Sequence, residues 1–186
     1  MLDTLLRWDR NTFLYLYGLG SEKYDGFWNG LSNFYISIPL FLLLIALLFW
    51  KNPKKKALWM IITYMGMIIA DTLAMLLTKA LIVRERPINT LTLGRIIDLP
   101  AIPVNHSFFS GHTATSFSIA VLTVLFLGKK IKAVYLILIW AALLSYSRIY
   151  LGVHYPLDVL VGALIGIVSA WLFYVLYKRF KEPYLS

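Results

Sequence analysis

An all-α fold, a polytopic bundle of about five transmembrane helices with an N-terminal interfacial or partial-span helix, is what this sequence predicts, on three observations. Of its 186 residues 60% are hydrophobic and 15% charged, with a mean hydropathy of +0.73, which leaves too little polar surface to cover a soluble domain. Five apolar runs, roughly 31–50, 57–83, 110–128, 131–150 and 156–177, approach the length of about 20 residues that a helix needs to cross the hydrocarbon core. Ten of the eighteen Lys and Arg residues fall in three clusters beside those runs: Lys51, Lys54, Lys55 and Lys56, then Lys129, Lys130 and Lys132, then Lys178, Arg179 and Lys181. Such clusters follow the positive-inside rule rather than the pattern of a nucleic-acid groove.

Taken in order, residues 1–30 carry Asp3, Arg7, Asp9, Arg10, Glu22, Lys23 and Asp25, which interrupt any signal-peptide core. Leu2, Leu5, Leu6, Phe13, Leu16 and Tyr17 predict an amphipathic segment at the interface, with 11–20 as an alternative partial span. The third and fourth runs, parted by Gly128 and lysines, read as a helical hairpin. Counting spans alternately puts 51–56, 128–132 and the C-terminal tail on one face, and 84–109 and 150–155 on the other. The basic clusters make the first face cytoplasmic. Trp50 and Trp59 bracket its first loop, at the depth indoles favour. No internal repeat or linker divides the chain, so 1–186 reads as one membrane domain. Its residues 1–30 are the interfacial segment and 57–177 the core carrying the chemistry.

Three segments on the outward face hold reactive side chains. Lys79 and Arg86 lie seven residues apart near the end of the second run, and Pro87 predicts where that helix stops. Either lysine or arginine alone reads equally as a cation snorkelling to the interface, and Arg84 reads as no more than that. Ser110-Gly111-His112 opens the third run, after Pro103, Phe108 and Phe109. A Ser-Gly helix start offers free amides and a positive dipole end to an anion, although a serine cap beside an interfacial histidine would look the same. In Ser147-Arg148 and His154-Tyr-Pro-Leu-Asp158, Pro156 suits the first helical turn, so Asp158 falls near the third position and can reach back to His154. The alternative is an Asp158 that only caps the helix and a His154 that faces water.

Together the segments supply three cations, an anion-binding helix start and two histidines, one next to an acid. Phosphoryl transfer needs charge neutralisation, an in-line nucleophile and an acid for the leaving group. The chain has no cysteine and no carboxylate cluster, which leaves a two-metal reaction without ligands and makes histidine the natural nucleophile.

The three segments, K-x6-R-P at Lys79 to Pro87, S-G-H at 110–112 and S-R-x5-H-x3-D at 147–158, resemble the type 2 phosphatidic acid phosphatase family. The likeness runs over about 57–177. Phe109 departs from it, standing where the family usually has proline. The resemblance implies that His154 attacks phosphorus to form a phosphohistidine, with Asp158 orienting it. His112 would protonate the leaving oxygen and then activate water, while Lys79, Arg86, Arg148, Ser110 and Gly111 hold the phosphate oxygens. It implies no metal and no cofactor.

An outward-facing site in a compact chain with short loops points to a lipid phosphate or pyrophosphate in the outer leaflet of a bacterial cytoplasmic membrane. Undecaprenyl diphosphate and lipid A come first, with phosphatidylglycerol phosphate or phosphatidic acid as alternatives. A small lipid transporter is the competing class. For that reading Asp71, the one acid deep in a span, is the relevant residue, although a bundle hydrogen bond explains it as well. Gly162-x-x-x-Gly166 reads as a helix-packing face, within the chain rather than between copies.

Overall fold

A computed structural model describes residues 1–91, 93, 97 and 105–184; Pro103 lies outside them. The described chain contains helices α1 (Leu2–Gly18), α2 (Asp25–Ser32), α3 (Phe34–Lys51), α4 (Lys54–Leu81), α5 (Pro87–Thr90), α6 (Gly111–Leu127), α7 (Ile137–Tyr150) and α8 (Pro156–Phe180), with short 3-10 turns and no strand. Among the described residues three helical stretches are long and apolar enough to span a bilayer: Lys54–Leu81, Lys132–Tyr150 and Pro156–Phe180. A fourth span arises if Glu22–Ser32 and Tyr35–Lys51, bent by 46°, cross together. The protein is a multi-pass membrane protein. Of the five expected spans, the one at 110–128 is a helix of 17 residues. It rises only about 26 Å, against about 30 Å of hydrocarbon.

That short helix is the centre of the bundle. α6 packs against α3, α4, α7 and most extensively α8. Its buried Thr113, Ser116, Ser118 and Thr123 return their hydroxyls to their own helix, as when Ser118 Oγ donates to the Ala114 carbonyl at 2.8 Å and Thr123 Oγ1 to that of Ile119 at 2.7 Å. Small residues with self-satisfied hydroxyls let neighbouring helices approach closely without orphaned polar groups. Asp71 of α4 joins this network, its Oδ2 lying 2.5 Å from the Ser118 Oγ, which shares its proton between that carboxylate and the Ala114 carbonyl.

Gly162 and Gly166 complete the contact from α8. A Cβ on Gly162 would lie 2.6 Å from the Ser110 carbonyl oxygen, and one on Gly166 2.3 Å from that of Ala114. Both are backbone atoms that cannot move aside, so the two glycines face α6 of the same chain.

The basic clusters gather at one end. Lys130 Nζ donates to the Lys51 carbonyl and to Asn52 Oδ1 at 2.9 and 2.7 Å, while Lys181 lies over the Trp59 ring at 4.1 Å. An apolar core of Leu48, Met67, Leu122, Phe126 and Tyr177 fills the bundle from that end. A second core, at the opposite end, joins Phe13 and Tyr17 of α1 to Tyr150, Leu151, Val153 and Tyr155 of the α7–α8 turn. The face of α1 that the bundle buries is therefore Asp9, Phe13 and Tyr17, spaced by four. Leu2, Leu5 and Leu6 remain exposed, free to contact lipid.

Candidate active site

α4 stops at Leu81, five residues before Arg86. Ile82 and Val83 are β-branched and weak helix formers, and Ile82 is already extended. Lys79 and Arg86 thus do not share a helix face, and Pro87 opens α5 instead of closing α4. The extended stretch has its own use, since residues two apart share a side. Arg84 and Arg86 both turn towards the start of α8.

The start of α8 has the geometry its sequence predicts. Tyr155 is the N-cap, Pro156 occupies the first turn, and Asp158 Oδ2 accepts the Tyr155 amide at 3.0 Å. The same oxygen lies 3.5 Å from His154 Nδ1. On the other side of the ring, Arg86 Nη1 sits 3.2 Å from Nε2. An arginine only donates, so that contact makes Nε2 the acceptor and leaves the ring proton on Nδ1, facing Asp158. His154 is 2% exposed. Burial pushes its pKa down to about 3, helped by the charges of Arg86 and Arg148 and only partly offset by Asp158. The imidazole is therefore neutral near pH 7, with its lone pair directed at the cations.

The turn that delivers His154 is set by Arg148 and Gly152. The Arg148 carbonyl accepts the amides of Val153 and His154, each at 3.2 Å, and Gly152 takes a φ of +73°, a conformation that a Cβ disfavours. The Arg148 side chain, 7% exposed, donates through Nη1 to Ser32 Oγ of α2 and has a buried Nε with no partner among the described residues. Arg86 is 3% exposed; burial lowers its pKa. It donates to the Val153 carbonyl at 2.7 Å and to Asn105 through both Nε and Nη2. Lys79, 7% exposed at the end of α4, has Nζ 3.4 Å from the same Asn105 Oδ1. One amide oxygen is thus shared by two cations, as a phosphate oxygen would be.

Ser110 is the N-cap of α6 and wholly buried. Its hydroxyl accepts from the Thr113 amide and Oγ1, and its own amide donates to the Asp158 carbonyl at 3.0 Å. His112 and Gly111 line one end of an apolar cavity of about 610 Å³ between α2, α3, α4, α6 and α7. His112 also lies within the electrostatic reach of Arg148, His154, Lys79 and Arg86. The cavity continues along α3 from Ser37 to Leu48, about 17 Å at the helical rise.

All eight expected site residues thus lie at the one end of the bundle that α1 and the α7–α8 turn also occupy. Three others were not anticipated. Arg84, read as an interfacial cation, donates to Asp158 Oδ1 at 2.6 Å and to Asp9 Oδ2 at 2.5 Å. Asp9, noted only as a charge that breaks up a signal peptide, is wholly buried. Its sequence signal was a carboxylate on the Phe13–Tyr17 stripe. Asn105 has no such signal.

The model of the PAP2 superfamily matches residues 60–182. A lipid A 4'-phosphatase of Bacteroides thetaiotaomicron is 31% identical over 181 residues, covering 94% of this chain and 79% of its own. The crystal structure of Aquifex aeolicus LpxE superposes with a TM-score of 0.65 at 32% identity, over 88% of this chain and 92% of that one. The transmembrane PAP2-type phosphatidylglycerolphosphate phosphatase of Bacillus subtilis shares the fold, with a TM-score of 0.74 at 23% identity over 96% and 89%. With its three motifs gathered at one end of the bundle, the chain belongs to the PAP2 superfamily and is a membrane phosphatase.

Proposed function

We propose that this enzyme hydrolyses a lipid phosphate or pyrophosphate at the outer face of a bacterial cytoplasmic membrane, without a metal, through a phosphohistidine on His154. The observation that carries the reading is a buried, neutral imidazole held between Asp158 and Arg86, at the end of the bundle where the apolar cavity reaches His112. The cavity suits a lipid tail, and the cations of Lys79, Arg86 and Arg148 suit its phosphate. In the first step the Nε2 lone pair forms the N–P bond while the bond from phosphorus to the lipid oxygen breaks, and His112, which carries a proton once the anionic phosphate lies beside it, gives that proton to the oxygen. Asp158 stabilises the positive charge left on the His154 ring. Water then gives a proton to His112 and its oxygen attacks phosphorus, returning the N–P pair to Nε2. The two carboxylates nearest this chemistry, Asp158 and Asp9, are already paired with Arg84.

Lipid A is the favoured substrate, since the similarity to a lipid A 4'-phosphatase extends over almost the whole chain, with undecaprenyl diphosphate second. Purified protein assayed in detergent with EDTA against both lipids, phosphatidylglycerol phosphate and phosphatidic acid tests the reading. Phosphate release should persist in EDTA, stop with orthovanadate and vanish in His154→Ala. More than a few per cent of the activity in a folded His154→Ala sample would rule out His154 as nucleophile. Loss on chelation that magnesium restores would rule out the metal-free route.

A further inference from the structure

We propose that Arg84 and Asp9 are positioning residues for the nucleophile, acting through Asp158; the inference rests on the histidine reading above. Asp158 uses its two carboxylate oxygens differently. Oδ2 holds the Tyr155 amide and faces His154 Nδ1, and Oδ1 receives Arg84 Nη1 at 2.6 Å. The other end of the guanidinium, Nη2, donates to Asp9 Oδ2 at 2.5 Å. Asp9 Oδ1 in turn accepts the Leu157 amide at 2.8 Å, one residue before Asp158. The arginine is also stacked on the Tyr155 ring at 4.2 Å. One oxygen of the Asp9 carboxylate and one end of the Arg84 fork are thus spent on the first turn of α8, and their other ends hold each other. The side chains of Asp9 and Asp158 are 0% exposed and that of Arg84 19%.

The arrangement divides the cations of this end by task. Lys79, Arg86 and Arg148 converge on the phosphate seat, whereas Arg84 is turned away from it and bonded to carboxylates. Two buried carboxylates beside one helix start would repel each other. Arg84 cancels one of the two negative charges. One net negative charge then remains, held at Asp158 in fixed orientation, to balance the positive ring that forms when His154 is phosphorylated. A carboxylate free to rotate would lose its line on Nδ1, and with it the tautomer that leaves Nε2 unprotonated. Asp9 comes from α1, outside the residues 60–182 matched by the family model. α1 is fastened over the site by Phe13, 5.5 Å from the Tyr155 ring in edge contact. The N-terminal helix therefore contributes to the reaction centre and not only to membrane attachment.

The test is steady-state kinetics in detergent for Arg84→Gln, Asp9→Asn, Asp9→Glu, Asp158→Asn, Arg84→Gln with Asp9→Asn, and Arg84→Gln with Asp158→Asn, each with its thermal midpoint and pH–rate profile. Positioning predicts a fall in kcat of about 10- to 100-fold, by analogy with removal of the groups that orient a metal's histidine ligands, with KM nearly unchanged. Arg84→Gln should add little to Asp158→Asn, because both act through one carboxylate. Asp9→Glu should recover part of the rate. The Arg84→Gln and Asp9→Asn pair removes a buried cation and anion together, so it should recover the thermal midpoint but not kcat. Three results would overturn the proposal: a rise in KM alone, which would make Arg84 a phosphate ligand; full additivity with Asp158→Asn; or kcat recovering in step with the thermal midpoint, which would make the pair a structural staple. His154→Ala, run alongside, separates the two levels. If it stays active the nucleophile assignment falls; if it is dead while Arg84→Gln and Asp9→Asn turn over normally, only this inference falls.

Discussion

His154 owes its chemical state to where the chain buries it. In water an imidazole is half protonated near pH 6.5, but here burial and two nearby guanidinium groups bring that point to about 3. The sign of the resulting pH effect follows directly. Between pH 6.5 and about 3 the unfolded chain binds a proton at His154 that the folded protein excludes, so stability is full above 6.5 and declines as pH falls through this window. Unfolding midpoints in detergent should drop over that interval, and should drop less in His154→Gln, which has no proton to exclude. An identical acid profile in the two proteins would show that His154 is not the group responsible. Arg86 is the neighbouring case: its Nη1 lies 3.2 Å from Nε2, a contact that must be given up before that lone pair can attack phosphorus in the proposed reaction.

At the scale of elements, the pair α6 and α8 sets the distances in the site. The carbonyl oxygens that face Gly162 and Gly166 belong to Ser110 and Ala114, at the start of the helix whose first residues are the proposed phosphate seat. Gly166→Val would force the helices apart and move Ser110 relative to Asp158. We expect it to lower the thermal midpoint and to cost at least tenfold in activity. Gly26→Ala makes a fair control, since a Cβ there meets nothing within 4 Å and alanine is the better helix former. If Gly166→Val is as active as that control, the close approach of the two helices does not govern the site.

For the whole molecule the separation of charge from chemistry is the organising feature. The basic segments are tied together at one end and the reactive groups lie at the other, so the reading puts the site outside the cell. A cysteine replacing the exposed Asn89 should react with an impermeant thiol reagent on intact cells, and one replacing the exposed Lys55 should not. The reverse pattern would invert the topology. The site's main parts were legible in sequence because each motif is short and its register is local: Asp158 reaches His154 through one turn of helix. Arg84 and Asp9 were not, since their pairing spans 75 residues, and neither residue alone distinguishes an interfacial charge from a buried one. The end of α4 was misjudged for a different reason. Pro87 is a strong punctuation mark, and it outweighed the two β-branched residues that stop the helix earlier.

Residue 158 also has a second role through its main chain. Its side chain faces His154, while its carbonyl accepts the Ser110 amide, so the proposed attacking atom and anion seat are both gauged from one residue. When a bilayer thickens or thins, long helices tilt to match it, and α8 must tilt with the rest. A tilt about that shared point carries both halves of the reaction together. Turnover measured in vesicles of graded acyl length should therefore vary less than binding, because the tail samples the changing membrane while the spacing between nitrogen and phosphorus does not.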